Sequence, residues 1–350
     1  MRKGVLVTLV LSVFLISLVT PALAFTRPTL FRSEFRLDNN KGIVEQQRAT
    51  RTTVNIRSIS SGDSVYKTVL IIAKVTGSFT SVVYQIDSGS QYPMSRVGTT
   101  DEYQASWDTT EVSAGTHTLY VKARSSSGSV VGSASVSVKV VTSFKWEVYY
   151  EIDYIVGHVP PQSMLDYWQS YWEGHAIKAT FLVDHAVSDP TPSDGYITES
   201  DFWSIESTYN GVWMYDDRSN GGANPQFFLK EKWMLYGTWD TDPNVGGYTY
   251  VSFSRSDLLA GNYIFIADSM INDWEAQNSI PNEGGDTIVA MHEAGHSIGI
   301  AKIFFGYEMY DSDYYSIMST MRMENAKYMS GYWYYSKEYW ATANKNYYTV

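Results

Sequence analysis

Met291-His292-Glu293-Ala294-Gly295-His296 is the stretch of this chain whose residue types and spacing can do chemistry. Two histidines four positions apart on a helix lie about 40° from one another around its axis, so their imidazoles can share one ion. Glu293 follows the first of them on the same side. A carboxylate in that place can take a proton from water at the ion and pass it to a leaving amine, which is the chemistry of metal-assisted hydrolysis. Cysteine is absent from all 350 residues, which removes thiolate nucleophiles and every sulfur ligand. A metal must therefore be held by imidazole and carboxylate, and that donor set with a Lewis-acid task and no redox step points to Zn2+.

The pattern continues through Ser297-Ile298-Gly299, and Asp313-Tyr314-Tyr315-Ser316-Ile317-Met318 follows. With these two motifs the segment resembles the metzincin metallopeptidases, in which a glycine ends the active-site helix and a methionine-bearing turn forms the floor beneath the zinc. The resemblance implies His292 and His296 as ligands, Glu293 as general base, Gly299 as the turn and Met318 as the Met-turn methionine. In that family the third ligand stands three residues after the glycine. Here the position is Lys302, a cation that cannot coordinate. Ile300 to Phe304 and Tyr307 to Tyr310 flank Gly306 like the arms of a hairpin, so the returning chain can bring back Glu308, Asp311 or Asp313. Asp313 occupies the place of a structural Asp in some metzincins, which leaves Asp311 the preferred ligand. The competing reading of all three is that they are solvated turn acids.

The elements that must position this motif are strands and helices in alternation. The helix itself is expected over Asp286 to Ile298, capped by Asp286 or Gly285. Strands are expected over Trp146 to Val156, Ala179 to Val183, Lys232 to Trp239, Tyr248 to Phe253 and Tyr263 to Ala267. Helices are expected over Pro161 to Glu173, Ile271 to Gln277 and Ser336 to Asn344, the last packed under the active site. Ten of the eleven Trp fall between Trp146 and Trp340, and aromatic stripes of that kind read as core. His158, His175 and His185 read as structural, and Asp240-Thr241-Asp242-Pro243-Asn244 as a turn rather than a calcium loop, because it lacks the distal bidentate Glu.

Residues 51–142 have another texture. Val69 to Ile72, Val82 to Ile86, Thr118 to Ala123 and Val136 to Val140 are rich in β-branched residues, with Gly77, Gly89, Gly115, Gly128 and Gly132 between them, the pattern of a small β-sandwich. Val83-Tyr84-Gln85-Ile86-Asp87, Trp107-Asp108-Thr109 and Val112 to Leu119 resemble the Ig-like modules of prokaryotic surface proteins. His117 reads as a surface or turn-packing residue. The fold expected is multi-domain, an all-β Ig-like sandwich (51–142) followed by an α+β metzincin-like domain (143–350).

Arg2 and Lys3, the uncharged run Gly4 to Val19 and Ala22-Leu23-Ala24 have the form of a signal peptide cleaved after Ala24. Residues 25–50 read as a propeptide or spacer, without a cysteine to block a metal. No later segment has 18 uncharged apolar residues to cross a bilayer. The net charge of −11 disfavours nucleic acid as partner. The expected function is a secreted zinc endopeptidase acting on polypeptides held along a sheet edge. The alternative is an exported adhesion or binding protein with an inert metzincin-like domain, meeting a cell-surface partner through its Ig-like module.

Overall fold

A computed structural model describes residues 31–36, 51–192, 195–209, 231–242, 245–253, 258–278, 284–300, 302–304, 307–309, 316–318 and 334–341. The segment expected as a signal peptide lies outside them.

Two sheets face each other over residues 53–140. One has five strands in the order β3 (Ser64–Val65), β10 (Val130–Val140), β9 (Gly115–Arg124), β5 (Ser81–Ile86) and β6 (Gln91–Pro93). The other has four, β2 (Thr53–Ile56), β4 (Thr68–Thr76), β8 (Glu102–Asp108) and β7 (Ser95–Arg96). Alternation decides which side chains meet between them. Val69, Ile71, Ala73 and Val75 of β4 point inward to Trp107, Leu119, Val121 and Val138. Ile72, of opposite parity, is buried as well, because helix α1 (Gln162–Gly174) packs on β4 from outside.

The second half is built on a six-stranded sheet ordered β1 (Phe31–Arg36), β16 (Val245–Phe253), β17 (Leu258–Ala267), β14 (Glu231–Gly237), β11 (Trp146–Ile155) and β12 (Ile177–Val187). β17, β14, β11 and β12 are parallel neighbours, while β16 and β1 run antiparallel. A parallel pair such as β11 and β12 needs a crossover, and α1 supplies it. The pleat of β11 sorts its side chains. Tyr150 turns to the face covered by α1 and by α4 (Gly284–Ser297), packing on Trp168 and Trp172 with its hydroxyl 2.9 Å from Ser297 Oγ. The opposite face is covered by α2 (Glu199–Tyr209), whose Phe202 meets Trp233, Tyr248 and Phe265.

Smaller pieces complete the chain: β13 (Tyr196–Ile197) with β15 (Trp239–Asp240), α3 (Asp268–Asn278), the hairpin β18 (Lys302–Phe304) and β19 (Tyr307–Met309), and α5 (Lys337–Trp340). Two expectations need correction. α4 begins at Gly284, so Asp286 and Gly285 lie inside it and do not cap it. Buried Asp286 instead accepts a hydrogen bond from the Tyr236 hydroxyl, and Gly285 N–H donates to Glu275. The C-terminal helix is one turn long, and Ser336 gives it no side-chain cap bond. Among the described residues no helix is long and apolar enough to cross a membrane.

Candidate metal centre

Every residue of α4 is buried, so each polar side chain on it must find a partner inside the protein. The helix ends where Gly299 takes φ +82, with Gly299 N–H bonded to His296 O at 3.0 Å and Ile300 N–H to Gly295 O at 2.8 Å. This pairing is a Schellman turn, and only glycine enters the left-handed region without strain. The reversal has a chemical result. It brings the Ile300 carbonyl to His296, whose Nδ1 donates to it at 3.1 Å. His292 Nδ1 donates likewise to the Ile317 carbonyl at 2.9 Å.

A carbonyl can only accept, so both rings carry a proton on Nδ1, and a neutral ring so held presents a bare Nε2. Those two Nε2 atoms face each other at 3.1 Å. Nitrogens that share a tetrahedral zinc lie roughly 3.3 Å apart, from bonds of about 2.0–2.1 Å. Burial lowers the His296 pKa to about 4, which keeps its imidazole neutral and its lone pair available at physiological pH. The donor set therefore fits a divalent cation that accepts imidazole.

Glu293 leaves α4 toward β16. The Thr249 hydroxyl lies 2.8 Å from its Oε2 and 2.9 Å from its backbone carbonyl. A Cβ on Gly247 would come within 3.1 Å of Glu293 Cγ, so glycine there makes room for the acid. On another side of the helix a Cβ on Gly295 would meet Tyr335 Cε1 at 2.9 Å and Met318 Sδ at 3.3 Å. Met318 and Tyr335 thus press against the helix between the two histidines, and the Tyr335 hydroxyl bonds to Met291 O.

Of the residues singled out in the sequence, His292, Glu293, His296, Gly299 and Met318 are brought together on and under α4. β18 and β19 pair with Lys302 opposite Met309 and Ile303 opposite Glu308, so the chain does return alongside Lys302. Asp311 and Asp313 lie outside the described residues, and of Glu308 only the backbone register is described. Thr249, Gly247 and Tyr335 were not singled out. For Gly247 a signal existed, since Gly246-Gly247 inside a strand marks close approach of another element; Thr249 and Tyr335 carry none.

The other histidines have partners of their own. His158 Nδ1 is 2.6 Å from Asp268 Oδ2, His175 packs at a tilt against Trp340 and Tyr171, and His117 joins Asp87 Oδ2 at 2.7 Å and Ser113 O at 2.8 Å. His185 Nδ1 is 3.2 Å from Asp153 Oδ1. A bulge sets Asp184 and His185 together opposite Asp153, and Glu151, Asp184 and His185 bring ligand-type atoms within 4.8 Å of one another. Asp242 N–H bonds to Asp240 Oδ1 at 2.9 Å, a local turn.

Residues 53–121 match a bacterial Ig domain. Among solved structures the chain is similar to an endo-β-1,4-mannanase from Thermotoga petrophila, at 21% identity over 27% of this chain and 21% of that one, with a TM-score of 0.24. It thus spans about a fifth of that relative's length. The fibronectin(III)-like modules of Clostridium thermocellum CbhA are 21% identical over 25% of this chain and 94% of theirs, with a TM-score of 0.21. Metalloproteinase-II from Bacteroides fragilis is similar over 85% of this chain and 87% of that one, at 11% identity and a TM-score of 0.35. No curated protein matches the chain.

Proposed function

We propose that this protein is a secreted zinc-dependent endopeptidase of metzincin type, with His292 and His296 as ligands and Glu293 as general base. The observation that carries the reading is the pair of Nε2 atoms converging at 3.1 Å while both Nδ1 atoms are bonded to carbonyls. Zinc, when bound, supplies polarisation of a water and of the scissile carbonyl. The proton work belongs to Glu293, which accepts the proton of the attacking water and delivers it to the leaving amine. Thr249 holds one carboxylate oxygen and so fixes the acid's rotamer. Met318 and Tyr335 close the underside of the helix and keep water from the back of the imidazoles. An acid at Asp311, or at Asp313 or Glu308, completes the ligand set.

An extended polypeptide substrate is supported by β16, which runs past Glu293 at Gly247 and Thr249. β1 already pairs along that strand, with Ser33 opposite Thr249 and Phe35 opposite Gly247. A substrate adding there through main-chain hydrogen bonds would take the place of β1, with side-chain pockets setting preference. Secretion rests on residues 1–24 and agrees with a bacterial Ig domain, a module typical of surface proteins.

The test is metal content and peptide hydrolysis of the exported protein beside Glu293→Gln. Zinc in both, with hydrolysis only in the unaltered protein, is the expected result. Protein that holds no zinc and cleaves nothing would favour the second reading, an exported binding protein. Lys302 at the third-ligand position and the Ig domain at 53–121 support that reading.

A further inference from the structure

Residues 334–336 run as an extended segment between α4 and the sandwich. Successive side chains in such a segment point to opposite sides, and here the two sides are two different parts of the molecule. Tyr335 turns to α4, where it meets Gly295 and the Met291 carbonyl. Tyr334 turns the other way, and its hydroxyl donates to Glu102 Oε1 at the start of β8. Lys337 N–H donates to Arg57 O of the sandwich at 2.8 Å.

The same segment carries the turn that orients a candidate metal ligand. Ser316 and Tyr334 form a parallel bridge. Ile317 N–H donates to Tyr334 O at 2.8 Å, and Ser336 N–H to Ser316 Oγ at 3.1 Å. The Ile317 carbonyl, held on its N–H side by Tyr334, is the acceptor of His292 Nδ1–H. Glu102, Tyr334, Ile317 and His292 thus form one unbroken path of bonds, entirely through buried residues.

Glu102 faces out of the sandwich core, since Tyr103, Ala105 and Trp107 of β8 are the residues that pack inward. Among the described residues of the sandwich it is the one buried side chain that carries charge, and burying a carboxylate costs stability unless it is bonded. Its bond to Tyr334 runs out of the module to the helix-bearing half. The seam is closed at the other end of β4 as well, where Tyr66 N–H donates to Gly174 O at 3.2 Å and a Cβ on Gly174 would sit 2.6 Å from Thr68 O.

We propose that the Ig domain is a working part of the metal centre, and that Glu102 is a positioning residue acting through the Tyr334 hydroxyl to hold the Ile317 carbonyl against His292. The inference rests on the reading of His292 and His296 as metal ligands. Polar groups that orient a liganding histidine typically contribute about 10–100-fold to metal affinity, and Glu102 stands further out along the path, so a loss of about 3–10-fold is expected.

The experiment uses the full exported chain, loaded with zinc for chelator competition and with cobalt(II) for the visible spectrum that reports ligand geometry. Glu102→Ala and Tyr334→Phe should each weaken zinc retention and shift the cobalt bands, and the double variant should be no worse than either single, because both remove one bond. Glu102→Gln keeps an acceptor oxygen for Tyr334 and should restore most of the affinity. Lys67→Ala removes an ion pair across the same seam, to Glu173 at 2.9 Å, off the path, and should leave metal binding unchanged. If the variants melt earlier yet bind zinc and cobalt as the unaltered protein does, Glu102 only supports stability and the proposal is overturned. Tyr334→Phe, which keeps the ring in place, decides the matter if Glu102→Ala does not fold. An unaltered protein that binds neither metal would instead overturn the reading of the histidines themselves.

Discussion

Between the sheets of the Ig domain lie almost only apolar side chains, from Val69 and Ile71 to Trp107 and Leu119, whereas the interior of the half that carries α4 holds Asp153, Lys232, Asp268 and Asp286 as well as His292, Glu293 and His296. The difference shows in how polar groups are satisfied. In the sandwich the strand ladders do most of it, with short side-chain returns such as Ser58 Oγ to Leu70 O at 2.9 Å. In the half that carries α4 the partners come from far away in sequence: on the α4 face Tyr236 lies against Asp286 and Asp268 and Tyr150 against Ser297, and on the opposite face Trp233 Nε1 donates to Asp153 Oδ2 at 2.8 Å. Apolar burial stabilises wherever it is placed. Buried polar groups stabilise only when the whole network closes, and a network of that kind fixes directions as well as distances. One region is built for stability and the other gives some of it up to aim side chains.

The sharpest way to break that comparison is Glu293→Gln, which should lower peptide hydrolysis by about 10²–10⁴-fold, the contribution of a general base, while circular dichroism and melting stay close to those of the unaltered protein. Loss of fold together with activity would mean that α4 depends on this carboxylate for stability after all. In the sandwich the largest effect should follow Trp107→Ala, a cost of about 3–5 kcal/mol from lost burial and the cavity left behind, read by denaturant unfolding. Gly295→Ala probes the packing under α4 with a single methyl. Tyr335 and Met318 stand too close to accept it, so a cost of about 1–3 kcal/mol from overpacking and weaker metal retention are expected together; an alanine that left both unchanged would show that the floor can move aside.

The smallest effect concerns Asp87 and His117 on the sandwich surface. Bonds from Thr118 N–H and His117 hold the Asp87 carboxyl below its usual range, and the bond to Asp87 raises the His117 imidazole above its own. Asp87 contributes above pH 3.8 and its contribution fades as pH falls through its lowered value. His117 contributes below pH 6.5 and its contribution fades as pH rises through its raised value. The pair should therefore stabilise most between those limits. Asp87→Asn should flatten the pH profile of unfolding in that window by a small margin, since the pair is solvent-screened.

How much of this was legible beforehand follows from the same contrast. β4, β5, β9 and β10 were readable because alternation and β-branched residues encode a sandwich strand locally. The helix bearing His292 and His296 was readable from their spacing, though its first turn was not. Asp286 looks like a cap until Tyr236, fifty positions earlier, draws it into the core. β1 has no internal pattern that marks it; it is a strand because β16 offers an edge. α2 was missed because Phe202 and Ile205 give too short an apolar face to stand out before the Tyr248 and Trp233 rings arrive to cover it. Thr249 is one threonine among several in the sequence until β16 is laid beside α4.

The bond from Tyr334 to Glu102 joins residues 232 positions apart, and that separation sets an order of events. Pairings such as β9 with β10 join neighbours in sequence and can form as soon as that stretch is free, while contacts that close long loops form late. A chain emerging from its N-terminus can complete the sandwich while the floor under α4 is still missing. On that order residues 334–336 dock onto an already folded Glu102 and only then place the Ile317 carbonyl, so the two histidines take their final orientation after the sandwich is complete.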